Sequence, residues 1–267
     1  MKKLLKKFKK SPKVAVLRLD GVIGGGSRFG GASLTDADLA PLLERAFRKG
    51  KPDAVALAVN SPGGSPVQSS LIGARIRRLS LETNTPVFAF CEDVAASGGY
   101  WLACAADEIF VDESSIVGSI GVISASFGFQ DLLQKQGIER RVHTAGKDKS
   151  MGDPFRAEKP EDIARLKALQ KTIHDNFIAH VKSRRGEKLA ESDLFTGEIW
   201  VGASAVDLGL VDGVGHLVPM MKFRYGEDVK FIPHGKKKSL LSKFGLTAAS
   251  NIASSIEDRA MWSKFGL

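Results

Sequence analysis

The residues best equipped for chemistry in this 267-residue chain fall in three short fragments. The first, Asn60-Ser61-Pro62-Gly63-Gly64, follows the apolar run AVALAV at residues 54–59. In open α/β sheets ligands bind at the carboxyl ends of the strands, where this fragment falls. Two consecutive glycines let backbone N–H groups face a cleft with no side chain in the way, which suits a developing oxyanion. Pro-Gly is also a plain turn signal. The second fragment, Ala95-Ala96-Ser97-Gly98-Gly99-Tyr100, sets a hydroxyl where a strand gives way to a helix, among unpaired N–H groups at the positive end of the helix dipole. Ser97 is therefore either a nucleophile or a simple N-cap.

A nucleophilic serine needs a base. Of the five histidines, His174 and His180 fall in a long helical stretch and His216 and His234 lie near the C-terminal end, which leaves His143 as the contender among them. The third fragment, Gly-Lys-Asp-Lys-Ser-Met-Gly-Asp-Pro at residues 146–154, is polar and rich in lysine. Read by itself it is a solvated surface loop.

The elements that must position these fragments follow from periodicity. Residues 13–19 alternate as a strand, and a Gly-rich stretch then leads to Thr35, an N-cap for a helix over 36–49. Residues 54–59 form a continuous apolar run, the mark of a strand buried on both faces. A helix is expected from 65 to 79, a buried strand over 86–90, and a helix from 100 to 106. Further short strands are expected at 108–111, 121–124 and 141–144, with a short helix at 130–136. Apolar residues at helical spacing from Ile163 to Val181 predict one long amphipathic helix over 159–185, and short helices follow at 202–208 and 216–222. Strands alternating with crossover-length connections imply right-handed βαβ units and a largely parallel sheet, a layered α/β fold.

Composition bounds the rest. With 43% hydrophobic and 26% charged residues the chain is globular, not disordered or fibrous. No apolar stretch reaches the roughly eighteen residues a spanning helix needs. The opening MKKLLKKFKK has a signal's positive start but neither its apolar stretch nor a cleavage site, so an unexported protein is expected. Cys91 and Cys104 lack both partners for a disulfide scaffold and metal-ligand company, as in a reducing, cytoplasmic compartment. The net charge of +9 resides in the ends: residues 1–10 hold six lysines and no acid, and residues 236–267 hold six basic and two acidic side chains. A near-neutral body argues against nucleic-acid recognition. The expected layout is a basic tail at 1–12, one domain at 13–234 and a basic amphipathic tail at 235–267. Tails that mix lysine with Leu4, Leu5, Phe8, Leu240, Leu241, Phe244, Trp262 and Phe265 resemble segments that lie on an anionic membrane surface, here its inner face. The pentapeptide Ser-Lys-Phe-Gly-Leu occurs twice, at 242–246 and 263–267.

NSPGG, AASGGYW, VGSIGV and GKDKSMGDPFR, in this order across roughly residues 14–217, resemble the signal peptide peptidase A family of serine proteases. That resemblance implies the Clp protease/crotonase-like layered α/β fold and an endopeptidase with a Ser-Lys dyad acting on signal peptides or other extended hydrophobic chains. It places the nucleophile on Ser97 and the base on Lys149, fifty-two residues further on, with Ser119 hydrogen-bonded to that lysine. The backbone N–H groups of Gly64 and Gly98 become the oxyanion donors. No metal or organic cofactor is implied, and a ring-like homo-oligomer is, with the lysine supplied by a neighbouring subunit. A lysine amine, protonated at neutral pH, becomes a base only where a dry apolar site penalises its ammonium by roughly 4 kcal/mol. Two departures stand out: the family's usual N-terminal membrane segment is missing, and Lys147 offers a second lysine two residues away. The competing readings are a crotonase-type acyl-CoA enzyme, a catalytically silent oligomeric scaffold, and a protease that uses His143 as its base.

Overall fold

The computed structural model describes residues 11–24, 34–146, 149–235 and 259–267. The lysine-rich first ten residues, most of the Gly-rich stretch, Lys147 and Asp148, and the C-terminal tail from Lys236 to Asp258 with its first Ser-Lys-Phe-Gly-Leu lie outside them. The chain divides into two compact units, one of residues up to Ile120 and from Ile178 onward, the other of Gly121–Phe177.

The first unit is built on a mostly parallel sheet. Strand β1 (Lys13–Asp20), helix α1 (Asp36–Arg48), β2 (Ala54–Ser61), α2 (Pro66–Thr83) and β3 (Val87–Ala96) form two consecutive βαβ crossovers, with β1 and β3 each parallel to β2. Both helices open on a hydroxyl cap, of which Thr35 is the one expected from the sequence. Thr35 Oγ1 accepts from Asp38 N–H (3.2 Å), and Ser65 Oγ accepts from Gln68 N–H (3.4 Å). β2 is buried along nearly its whole length, as an apolar run without alternation requires.

β3 continues well past the strand expected at 86–90 and reaches Ala96. Its first half pairs with β4 (Glu108–Val111) at Phe88 to Cys91, and its second half pairs with β5 (Ile116–Gly118) at Val94 to Ala96. The change of partner coincides with a register shift against β2 between Val59 and Ser61. Asn60 fills that irregularity. Its amide oxygen accepts from Val94 N–H (3.2 Å), and its amide nitrogen donates to Asp93 (3.0 Å).

The order is completed by β6 (Ile199–Val201), antiparallel to β5, by β7 (Gly213–Val214) beside β4, and by β8 (Lys230–His234) beside β1. Between β3 and β7 lie α3 (Gly98–Ala103), α4 (Gln130–Lys135), the long α5 (Pro160–Arg185) and α6 (Ala203–Asp207). Helix α7 (Leu217–Tyr225) comes before β8. One sheet face packs Val14, Ala54, Ala56, Phe88, Phe90 and Phe110 against Met221 of α7. The alternate residues Ala15, Leu17 and Leu19 point the other way and are equally buried, as are Leu43 and Phe47 of α1 and Ile72 and Ile76 of α2.

The strands expected at 121–124 and 141–144 do not form. Both segments lie in the second unit, which has no strand among its described residues, and a strand without a partner leaves its backbone groups unpaired. β5 to β8 escape sequence reading because they are two to five residues long, and β8 also contains Pro233.

The C-terminal end of α5 is tied into the first unit by one buried charge pair. Arg185, 3% exposed, donates to both carboxylate oxygens of Asp212 (2.7 and 3.2 Å) and to Gly209 O (2.9 Å). Asp212 also accepts from Ile109 N–H and Lys188 Nζ. Burial works against ionisation of Asp212, but the hydrogen bonds from Arg185, Lys188 and Ile109 N–H together with the Arg185 charge outweigh it and hold the carboxyl below its usual range. Its stabilising contribution is therefore complete above the ordinary carboxylate pKa and fades as pH falls through the depressed folded value. Asp212→Asn is expected to lower the unfolding free energy by about 3 kcal/mol at neutral pH by stranding Arg185. Denaturation of both proteins from pH 7 to pH 2 should show the gap narrowing with acid.

Candidate active site

Ser97 stands at the junction of β3 and α3, where its N–H donates to Gly118 O of β5 (2.8 Å) and its carbonyl accepts from Trp101 N–H (3.0 Å). Its backbone lies at φ 52° and ψ −122°, far from the extended conformation that Thr35 and Ser65 adopt as caps, and its hydroxyl makes no capping bond. The simple N-cap reading of Ser97 therefore fails. Gly202, which heads α6, has nearly the same angles (φ 48°, ψ −118°). Ser97 thus carries a side chain in a conformation that this fold elsewhere gives to glycine, at a cost on the order of 1–3 kcal/mol.

The surroundings enforce that turn. A Cβ on Gly63 would sit 2.8 Å from Ser97 Cβ and 2.9 Å from Gly98 N, so only glycine lets the two turns meet. A Cβ on Gly64 would lie 2.0 Å from Ile23 O. Gly98 is pressed against Ser69, whose Oγ would be 2.4 Å from an added Cβ. Ile23 stitches the NSPGG turn from outside, donating to Gly63 O and accepting from Ser65 N–H (both 2.8 Å).

Within the turn, the Gly63 N–H is taken by the buried Ser61 Oγ (3.2 Å). Among the described residues the N–H groups of Gly64 and Gly98 donate to no acceptor. The sequence singles out both of these glycines. It gives no sign of Ser61 and Asn60 as the residues that tie the turn, or of Ser69 as the side chain packed on Gly98. Nothing in their spacing distinguishes a buried serine that closes a turn from a solvated one.

Ser119 belongs to the same corner. It follows Gly118, has φ 51°, is half-buried, and donates its N–H to Glu198 O (2.6 Å). The structure therefore joins the Ser97-Gly98 corner to Gly63 and Gly118, the chain neighbours of Gly64 and Ser119, in the first unit. Lys149 and His143 belong to the second unit, and both side chains are exposed in the single chain.

Trp101 is a packing residue, stacked on His180 with ring centroids 4.5 Å apart. His180 Nε2 donates to Trp101 O (3.1 Å), and burial, partly offset by that bond, lowers its pKa to about 4. Cys91 and Cys104 are buried free thiols; burial raises both, Cys104 to about 12.

A cavity of about 280 Å³, floored by Ala58 and Phe90 and rimmed by Glu92, Asp112 and His216, does not include Ser97. Its rim is already internally paired, Glu92 with Arg18 and Asp112 with His216 (2.8 Å). No group of histidine, cysteine and acidic residues among the described residues is arranged to hold a metal ion.

A strained serine between a parallel strand and a helix, packed on a glycine turn with free N–H groups, on this layered sheet, defines a protein of the Clp protease/crotonase-like fold class. The chain belongs to peptidase family S49, whose sequence profile matches residues 80–222. It is 48% identical, over 95% of its length, to a Brucella melitensis protein named Na(+)/H(+) antiporter NhaA, of which the match covers 37%. It is 32% identical over 205 residues to protease 4 of Haemophilus influenzae, covering 76% of this chain and 33% of that one. The chain thus spans about a third of the length of these relatives. No described helix is long and apolar enough to cross a membrane, so the stretch shared with the antiporter-named protein brings no such helix among those residues. The 1510-N membrane-bound stomatin-specific protease, as a lysine-to-alanine mutant in complex with a substrate peptide, shares the fold, with a TM-score of 0.52 at 13% identity over 96% of this chain and 99% of that one.

The shared geometry of Ser97 and Gly202 has a stability consequence. Ser97→Gly should unfold at a higher denaturant midpoint than Ser97→Ala, by about 1 kcal/mol, because glycine relieves the strain that alanine retains. Paired equilibrium denaturation curves test it.

Proposed function

We propose that this protein is a serine endopeptidase with a Ser-Lys dyad, in which Ser97 is the nucleophile and Lys149 the base. The observation that carries the reading is the strained Ser97, whose hydroxyl caps nothing and whose turn packs on Gly63, next in the chain to Gly64; the N–H groups of Gly64 and Gly98 have no acceptor among the described residues. A side chain held in a costly conformation with no structural duty is the mark of a functional position. Membership of a peptidase family supports the same reading.

In this mechanism the neutral Lys149 amine takes the proton from Ser97 Oγ as the oxygen attacks the peptide carbonyl. The tetrahedral oxyanion rests on the N–H groups of Gly64 and Gly98. The same proton passes to the departing amine, leaving an acyl-enzyme on Ser97. Water, deprotonated by Lys149, then hydrolyses the ester and restores both groups. Ser119 hydrogen-bonds the lysine and orients it. Lys149, exposed in one chain, gains its dry surroundings from a neighbouring subunit in a ring-like homo-oligomer. The exposed apolar side chains Ile123, Phe127, Leu132 and Ile138 of the second unit are suited to such a contact.

The substrates are signal peptides or other extended hydrophobic chains, and the two basic tails hold the enzyme on an anionic membrane surface. Their composition supports the membrane reading.

A fluorophosphonate probe should label the wild-type protein at Ser97. Labelling and casein cleavage should fall at least a hundredfold in Ser97→Ala and Lys149→Ala while His143→Ala stays near wild type. Labelling at another residue, or activity surviving in Ser97→Ala, would refute the assignment. The full-length chain should sediment with anionic liposomes at low salt and be released at high salt; failure to sediment would remove the membrane reading.

A further inference from the structure

The polar fragment that carries Lys149 ends in Asp153-Pro154-Phe155-Arg156, and the structure gives that ending a definite form. Asp153 lies in an otherwise exposed segment, yet its side chain is only 7% exposed. One carboxylate oxygen accepts from Arg140 Nη2 (2.8 Å), and the other accepts from Phe155 N–H (3.1 Å). Asp153 N–H donates to Ser150 O (3.3 Å), and Arg156 Nη1 donates to Ser150 Oγ (3.0 Å), closing a turn directly after Lys149. From the other side, Phe129 N–H donates to Pro154 O (2.6 Å) and the Phe129 ring lies 5.6 Å from that of Phe155. The Arg140 guanidinium covers the same Phe155 ring at 4.8 Å. All of these groups belong to the second unit.

We propose that the Arg140–Asp153 pair is a positioning device for Lys149, fixing the downstream end of its loop so that the amine is presented in one place. This rests on the reading of Lys149 as the base. Arg140 is itself 39% exposed, so the pair adds little to stability, and its bonds to the segment directly after Lys149 point to a local positioning role instead. A base must be held to within a fraction of an ångström, and a 1 Å misplacement costs about a hundredfold in rate. Arg140 supplies two constraints at once: it anchors the Asp153 carboxylate and it clamps the Phe155 ring that follows.

The test measures the rate of fluorophosphonate labelling of Ser97, and casein kcat and KM, for Arg140→Ala, Asp153→Asn, Arg140→Lys, Lys149→Ala and the double variant Lys149→Ala/Arg140→Ala. Size-exclusion and thermal midpoints accompany each. Arg140→Ala and Asp153→Asn should slow labelling and lower kcat about ten- to a hundredfold with KM within a few-fold of wild type, and Arg140→Lys should recover part of the loss. In the Lys149→Ala background, Arg140→Ala should bring no further loss, since the group it positions is gone. The inference is overturned if Arg140→Ala retains its rate while Lys149→Ala loses it, if the two losses multiply in full, or if the loss follows dissociation of the oligomer. Activity persisting in Lys149→Ala would instead overturn the dyad itself, and the positioning role with it.

Discussion

The close approach of two backbone turns governs this structure. The corner at Ser97-Gly98 and the turn at Gly63-Gly64 pack so tightly that a single Cβ on Gly63 would collide with both the serine and the following amide. Atoms at that distance leave no room for adjustment, because a packed interior has little free volume to yield. The approach sets Gly63 directly against the Ser97-Gly98 peptide and keeps the chain in an unfavourable conformation at Ser97. It also explains why the supporting residues are small and polar: Ser61 and Ser69 each hold a backbone position with one short hydroxyl where a longer side chain would not fit.

What delivers the two turns to one place is the exchange of partners along β3. The strand is shared between β4 and β5, and the sheet opens where one takes over from the other. A break of this kind exposes backbone groups, and Asn60 of β2 supplies a partner for Val94 N–H while its amide nitrogen holds the Asp93 carboxylate. The same residue thus lies at the penultimate position of β2, bridges an irregularity against its neighbour and leads into the glycine turn. On the far side, Arg185 and Asp212 fasten the long helix to the β4 and β7 region with charges that burial makes costly to separate.

The layered α/β class, β1, β2 and the cap at Thr35 were legible because they depend on local signals: an uninterrupted apolar run, or a hydroxyl just ahead of a helix. The amphipathic α5 was legible from its spacing. The short strands were not, since three residues such as Ile116, Val117 and Gly118 become a strand only through the neighbours that pair with them. At the site, glycine pairs betrayed the two turns, and motif order pointed to Ser97, Ser119 and Lys149. The left-handed backbone of Ser97 left no trace in composition. It comes from contacts between residues more than thirty positions apart in the chain, as does the role of Asn60.

The two thiols bear on where such a chain can work. Cys91 and Cys104 are sealed in the core, and the same burial that makes their ionisation unfavourable keeps dissolved oxidants and thiols away from them. Such sulfurs resist disulfide exchange as well in an oxidising environment as in a glutathione-buffered one. Cysteine content therefore ties this chain to neither side of a membrane, and the enclosed packing around both sulfurs makes the folded unit indifferent to redox surroundings.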